Sequence, residues 1–357
     1  MNIFMIIGTL NFGGAERVLA NLANYFSKNH RVKICTLFNR DIVYSLNSNI
    51  EIVEGVAEHG VISAIKNIRK EAIAFETDVA VSFLSHVNIT TIISLLGSGI
   101  PVIVSERNDP YFEPAQLHRK VLRKIIFPFA SGYVFQTKEA KEYFSNRIQK
   151  AGIVISNPVF VDDVSEDYKS IVDKEKEFVA IGRLTEQKNY TVMIKAFKKV
   201  CAKYPEYKLK IYGKGQEKEK LQYLCKEEDV ENNVEFMGTV QNVHEKILNS
   251  HVFVMSSDHE GMPNALMEAM ALGMCCISTD CPCGGPRELI KHGINGFLVP
   301  VGDIENLAET MIFTIENKEV VSEIRKRSSC VRKDYDIAQI GKKWEIYLQE
   351  VLSKNKR

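Results

Sequence analysis

The sequence predicts an α/β protein built from two doubly wound parallel sheets, each covered by helices on both faces. Three observations lead there. Short β-branched and apolar runs alternate with longer amphipathic segments along most of the chain, the pattern of parallel strands joined by crossover helices. The alternation stops once, near residues 157–175, and then begins again. At 357 residues the chain also exceeds what one hydrophobic core usually supports.

In the first half the strand candidates are Asn2–Ile7, Arg31–Phe38, Ile50–Val53, Asp78–Phe83, Pro101–Ser105, Gly132–Gln136 and Ile153–Ile155. Helices are predicted over Ala15–Ser27, Val61–Phe75, Val87–Leu96 and Ala115–Phe129. The turn Ser156-Asn157-Pro158 and a polar stretch from Asp162 to Lys176 interrupt the pattern. It resumes at Phe178–Ile181, with further strands at Lys208–Tyr212, Val234–Met237, Val252–Met255, Cys276–Thr279 and Gly296–Val299, and a final amphipathic helix over Ile337–Leu352. The expected domains are residues 1–160, onto which the C-terminal helix 337–357 packs back, and residues 161–336. Ligands of open α/β sheets lie outside the carboxyl ends of the strands. Two such domains facing across a cleft would carry their chemistry in the loops there.

Composition excludes several classes. The net charge of +1 gives no global field favouring nucleic acid. No apolar run reaches the ~18 residues of a spanning helix. The segment Met1–Ile7 has no positive flank and no small-residue cleavage site, and it runs into a glycine loop. It reads as a buried strand rather than a signal peptide, which points to a cytoplasmic protein, or one peripheral on the inner face of the membrane. Cys275, Cys276, Cys281 and Cys283 crowd together, but without a C-x-x-C pair or a histidine at ligand spacing. They read as reduced structural thiols, and no metal and no cofactor are expected.

The loops carry the chemistry. The stretch Gly8–Arg17 contains Gly13-Gly14 at a strand–helix turn, where backbone N–H groups can approach an anion. A tight turn alone explains it as well. After the first strand of the second half, Gly182-Arg183-Leu184-Thr185-Glu186-Gln187-Lys188 sets two cations beside a glycine ahead of a helix. Cations are disfavoured there unless an anion is present, so Arg183 and Lys188 suit a diphosphate; two solvated cations near a helix start are the alternative. In Ser256–Glu268, Pro263 fits a first helical position. Glu260 then lies in the loop and Glu268 inside an interior-looking helix. The helix amino terminus can take phosphate or sugar oxygens, and two carboxylates can accept from sugar hydroxyls. Asp334-Tyr335-Asp336 spells a metal-binding D-x-D but follows every strand, so surface solvation explains it better.

Glu260 and Glu268 form the E-x7-E pair of retaining GT-B glycosyltransferases, and the chain resembles glycosyltransferase family 4. The resemblance covers nearly the whole chain. It includes Gly-Gly-Ala-Glu-Arg at 13–17, Gly-Arg-Leu…Lys at 182–188, Tyr212-Gly213-Lys214-Gly215, residues 256–273, and Asn295–Pro300. Ser105–Pro110 and Cys281–Glu288 are similar to the branch that builds bacterial surface glycans, such as lipopolysaccharide O-antigen and capsule. The resemblance implies that Arg183 and Lys188 neutralise the donor diphosphate and that Glu268 holds the ribose. It implies that Glu260, with the backbone of Gly261, Met262, Pro263 and Asn264, binds the transferred sugar. Gly13 and Gly14 then close on the phosphates, Gly213 and Gly238 flank the base, and Glu106, Arg107 and Asn108 line the acceptor side. Many relatives carry a histidine where Arg107 and Asn108 stand here. In such enzymes the departing β-phosphate can take the acceptor proton, giving retention without a protein nucleophile.

The expected partners are a nucleotide sugar, uridine-linked by family resemblance, and a glycan or polyprenyl-diphosphate-linked acceptor. No nucleic acid is expected. On Leu117–Phe127 the apolar Leu117, Val121, Leu122, Ile125 and Ile126 fill one half of a helical wheel, and Arg119, Lys120, Arg123 and Lys124 the other. Such a helix suits an anionic membrane or a lipid diphosphate; an ordinary surface helix packed on its own sheet fits equally. Lys66, Arg69 and Lys70 are a weaker second cluster. Two rivals stand beside this reading. One is another enzyme of the same fold, such as a nucleotide-sugar epimerase or a sugar phosphorylase. The other is a non-catalytic sugar-nucleotide-binding protein.

Overall fold

The computed structural model describes residues 1–161 and 175–355. Most of the polar connection expected over Asp162–Lys176 lies outside the described residues. The chain divides into two compact units, Met1–Pro158 with Asp336–Arg357, and Val159–Tyr335.

The first unit holds a seven-stranded parallel sheet in the order β3-β2-β1-β4-β5-β6-β7. Its strands are β1 (Asn2–Ile7), β2 (Arg31–Thr36), β3 (Glu51–Val53), β4 (Val79–Phe83), β5 (Val102–Ser105), β6 (Gly132–Phe135) and β7 (Gly152–Val154). Continuous burial along β1, β4 and β5 is what a sheet covered on both faces demands. The helices are α1 (Gly14–Phe26), α2 (Val61–Ala74), α3 (Ser85–Leu95), α4 (Leu117–Ile126), α5 (Lys138–Glu142) and α6 (Asn146–Ala151). The helix expected over Ala115–Phe129 is shorter. It ends at Ile126 and gives way to a 3-10 turn over Phe127–Phe129, since Pro128 has no N–H with which to continue the ladder.

The chain's last helix, Ile337–Asn355, belongs to this unit. Trp344 is fully buried and stacks on Phe83 with ring centroids 5.9 Å apart. The Tyr347 hydroxyl accepts from the Tyr133 backbone N–H at 2.7 Å and donates to the Ala151 carbonyl at 2.6 Å. Gly341 lies against the Tyr25 ring, where a Cβ would not fit.

The second unit holds a six-stranded parallel sheet in the order β10-β9-β8-β11-β12-β13. These strands are β8 (Glu175–Ile181), β9 (Lys208–Tyr212), β10 (Val234–Gly238), β11 (Ser250–Met255), β12 (Cys275–Thr279) and β13 (Phe297–Val299). Between and after them run α7 (Tyr190–Lys203), α8 (Lys218–Glu227), α9 (Val243–Ile247), α10 (Asn264–Ala271), α11 (Gly285–Leu289), α12 (Ile304–Glu316), α13 (Lys318–Ser328) and α14 (Val331–Asp334). The last helix is thus α15. Successive strand residues feed opposite cores. Val252, Val254 and Cys275 pack with Phe197 and Met311 on one face, and Phe253, Met255 and Cys276 with Leu266 and Met270 on the other. The adjacency of Cys275 and Cys276 is therefore strand alternation. Burial pushes the Cys275 thiol up to about 12, and none of the eight cysteines is disulfide-bonded.

Strand order reverses on either side of β8, between β9 and β11. Crevices for ligands open at such switch points. The loops that follow β8 and β11 are Gly182–Asn189 and Ser256–Pro263.

Candidate active site

Those two loops are stitched together. The Asp258 N–H donates to the Gln187 carbonyl at 2.9 Å, and the Gln187 amide donates to the His259 carbonyl at 2.8 Å. The Asn189 amide donates to Asp258 at 2.7 Å. The Ser256 hydroxyl reaches the carbonyls of Lys188 and Asn189 at 2.9 and 3.0 Å. Asn189 takes a left-handed conformation, φ 44°, and caps α7 through its side chain. It turns the chain sharply enough to hold Lys188 over the second loop.

Lys188 and Glu260 meet there. Lys188 Nζ lies 2.5 Å from Glu260 Oε1, and the Ser257 hydroxyl donates to the same oxygen at 2.8 Å. Glu260 is buried. Ser257 is held by Thr279, whose hydroxyl donates to the Ser257 carbonyl at 2.6 Å. Arg183 stands exposed on the same loop. Gly285 presses against this floor, because a Cβ there would overlap the Gly261 carbonyl oxygen.

Helix α10 begins beside Glu260. Pro263 is its N-cap, not its first helical residue as the sequence suggested, and no side chain caps the first turn. The first N–H groups of a helix have no partner within it and point beyond its amino terminus. Further along α10, Glu268 is buried and lies 3.0 Å from His244 Nε2. The turns after β8, β9 and β10 close on one another. Gly182 N–H donates to the Tyr212 carbonyl at 3.0 Å, and Gly213 N–H to the Gly238 carbonyl at 2.8 Å. A Cβ on Gly213, whose φ is 147°, would overlap the Gly182 carbonyl oxygen. Arg183, Lys188, Gly213, Gly238, Glu260, Gly261, Met262, Pro263, Asn264 and Glu268 thus all belong to the second unit. Ser257, Asp258, Thr279, Gly285 and His244 complete it. Of these, Ser257 and Asp258 lie in the singled-out stretch Ser256–Glu268 and Gly285 in Cys281–Glu288, without roles assigned, whereas Thr279 and His244 gave no signal.

The first unit places Gly13 and Gly14 at the start of α1. The Tyr44 hydroxyl spans the turn, accepting from Gly13 N–H at 3.0 Å and donating to its carbonyl at 2.8 Å. Of the three residues expected on the acceptor side, Asn108 is exposed, whereas Glu106 and Arg107 are buried. Arg107 donates to Asn157 Oδ1 at 2.6 Å and lies 4.2 Å over the Phe83 ring centroid. Burial lowers its guanidinium to about 9. Glu106 lies 3.6 Å from Arg123. Burial raises its carboxyl to about 7 against that attraction.

Helix α4 departs further from expectation. Arg123 does not join the basic outer face. It is buried, donating to the carbonyls of Glu113 at 2.7 Å and Pro110 at 2.9 Å. The apolar half faces outward instead, with Leu117 76%, Val121 51%, Leu122 40% and Ile125 58% exposed. Arg119 and Lys124 flank it, exposed, and Lys120 donates to the Tyr111 carbonyl at 2.9 Å. In the second cluster, Arg69 donates to the carbonyls of Ser94 and Leu96, closing the end of α3, while Lys66 and Lys70 are exposed. Asp336 accepts from the Ala338 N–H as a turn at the start of α15, and Asp334 ends α14. No described helix is long and apolar enough to cross a membrane. Among the described residues no group of three or more His, Cys, Asp or Glu is placed to hold a metal ion.

The family model described as "Glycosyl transferases group 1" matches residues 163–330. A Campylobacter jejuni relative, "GalNAc-alpha-(1->4)-GalNAc-alpha-(1->3)-diNAcBac-PP-undecaprenol alpha-1,4-N-acetyl-D-galactosaminyltransferase", is 30% identical, covering 98% of this chain and 99% of its own. A second from that organism, "N-acetylgalactosamine-N,N'-diacetylbacillosaminyl-diphospho-undecaprenol 4-alpha-N-acetylgalactosaminyltransferase", is 24% identical over 96% and 98%. Among solved structures, Anabaena HepE in complex with UDP-glucose superposes with a TM-score of 0.82 at 18% identity, covering 99% of this chain and 100% of that one. With the fold shared along its length and a 30% identical relative spanning the whole chain, the protein belongs to the group 1 glycosyltransferases of GT-B architecture.

Proposed function

We propose that the protein transfers a hexose or N-acetylhexosamine, with retention, from a UDP-sugar to a glycan or polyprenyl-diphosphate-linked acceptor in bacterial surface-glycan assembly. The observation that carries this reading is the meeting of Lys188, Glu260 and the α10 amino terminus at the switch point of the second sheet. A diphosphate entering there takes Lys188 from Glu260 and gains Arg183 and the first N–H groups of α10. Glu260, released from the ammonium, accepts from hydroxyls of the transferred sugar. Glu268 accepts from the ribose, and Gly213 and Gly238 flank the base. As the glycosidic bond breaks, charge grows on the β-phosphate, where fixed cations act without a divalent metal. The same phosphate then takes the acceptor proton.

The two Campylobacter relatives are named for α-linked additions to diphospho-undecaprenol acceptors, and HepE is known with UDP-glucose bound. These names support the donor, the acceptor and retention. Helix α4 supports a peripheral place at the inner face of the membrane. Its outward apolar residues suit the acyl boundary, and Arg119, Lys120 and Lys124 suit anionic headgroups.

A panel of nucleotide sugars, scored by thermal shift and then by transfer to a polyprenyl-diphosphate glycan, tests the reading. A UDP-sugar should raise the melting temperature, and the product should show an α linkage by NMR. A β-linked product, free sugar released without acceptor, or no stabilisation by any nucleotide sugar would overturn it.

A further inference from the structure

We infer that His244 is a positioning residue for nucleotide recognition, holding the Glu268 carboxylate in the one orientation that reads the ribose. The inference rests on the proposed role of Glu268. Its Oε2 lies 3.0 Å from His244 Nε2, and both side chains are buried. They come from separate elements, α9 and α10. Asn242, at φ 52°, turns the chain into α9 just after β10. The imidazole is thereby delivered from the same connection whose Gly238 carbonyl ties down Gly213.

A buried carboxylate requires donors. A glutamate on a helix has three rotatable side-chain bonds, and a vicinal diol accepts only one setting of the carboxylate plane. An imidazole is rigid beyond two torsions. With Nε2 carrying the proton, its bond to Oε2 fixes that plane before any nucleotide arrives, so ordering is not charged against binding. A residue needed only to fill space beneath α10 would be apolar, since an imidazole buried there incurs a desolvation cost that hydrogen bonding must offset.

The test compares wild type, His244→Leu and His244→Gln by calorimetric titration with UDP, GDP and ADP, each against its 2′-deoxy form. Glutamine can present an N–H near the position of Nε2, whereas leucine fills space alone. Wild type should bind its preferred nucleotide about 10-fold or more tighter than the deoxy form, the size of one hydrogen bond to a charged group. In His244→Leu that ratio should fall toward one, chiefly through weaker binding of the ribonucleotide, and His244→Gln should restore much of it. The ratio does not depend on the fraction folded, so a destabilised variant still answers. Equal loss for both nucleotides, with the ratio unchanged, would make His244 a packing residue and overturn the inference. A wild type that fails to discriminate, or binds none of the three, would instead overturn the reading of Glu268 on which it rests.

Discussion

Lys188 is ion-paired with Glu260 at 2.5 Å, and the Ser257 hydroxyl donates to the same carboxylate oxygen. On the proposed reading the cation is already placed, and a donor diphosphate has only to exchange one anion for another. Lys188→Ala and Arg183→Ala should therefore lower kcat by about 10²-fold or more, with a smaller effect on donor affinity, because leaving-group charge is greatest in the transition state. Turnover should survive EDTA. Steady-state kinetics with donor titration checks the first. Rescue by Mn²⁺ of an EDTA-silenced enzyme would show that the two side chains do not suffice.

Helix α4 separates two kinds of basic residue. Replacing Arg119, Lys120 and Lys124 with Gln should release the protein from anionic vesicles at low salt and leave its melting temperature within a few degrees. Each such cation near an anionic leaflet is worth about 1 kcal/mol. Leu117→Ser with Ile125→Ser should weaken vesicle binding at high salt, where the apolar term persists. Arg123→Gln should act on stability instead, by roughly 1–3 kcal/mol, since it removes the donor to the Glu113 and Pro110 carbonyls and the partner of the buried Glu106. Vesicle co-sedimentation and thermal unfolding of the same variants read both. A wild type that ignores anionic vesicles makes α4 an ordinary surface helix.

His251 should make the second unit acid-sensitive. Burial lowers its imidazole from 6.5 to about 4, helped by Arg325 and Lys318. The ring packs edge-on against Phe178 and Tyr207. A depressed folded-state value means the stabilisation is complete above pH 6.5 and is lost as pH falls toward 4. The loss across that window is on the order of 3 kcal/mol. His251→Phe keeps the ring contacts and should flatten denaturant-measured stability between pH 7 and 4.5. An unchanged slope would mean that other groups carry the acid response.

Gly285 leaves no room for a methyl group beside the Gly261 carbonyl. Gly285→Ala should push the Ser256–Pro263 loop off α11, costing on the order of 1–3 kcal/mol and weakening donor binding. Gly293→Ala is the contrast, since its φ of 72° imposes strain but nothing lies within 4 Å. It should lower stability and leave donor affinity unchanged.

Strands and loops with their own periodicity were legible from the residues alone. The apolar runs of β1, β11 and β12 stand within a residue or two of where alternation put them. Glycine and cation spacing located the loop from Gly182 to Lys188. The side chains whose direction depends on tertiary partners were not legible. A helical wheel put Arg123 with its basic neighbours, yet two carbonyls and the Glu106 carboxylate draw it inward while apolar residues turn out. The acceptor-side expectation for Glu106 and Arg107 came from the family resemblance, which says nothing of packing; Asn157 and the Phe83 ring hold Arg107 within. His244 gave no signal, since α9 is five residues long and its partner lies 24 positions away.

The polypeptide leaves the first unit after Pro158 and returns at Asp336, which gives synthesis an order that the finished fold conceals. When a ribosome has made every strand of the second unit, Trp344 and Tyr347 are still missing from the first. Phe83 lacks its stacking partner, and the Tyr133 N–H lacks its acceptor. The earliest sheet to emerge is thus the last to be sealed. Without that helix the second core stays intact and the first one lies open. Limited proteolysis of a chain stopped at Tyr335 should accordingly digest residues 1–158 and spare the second unit.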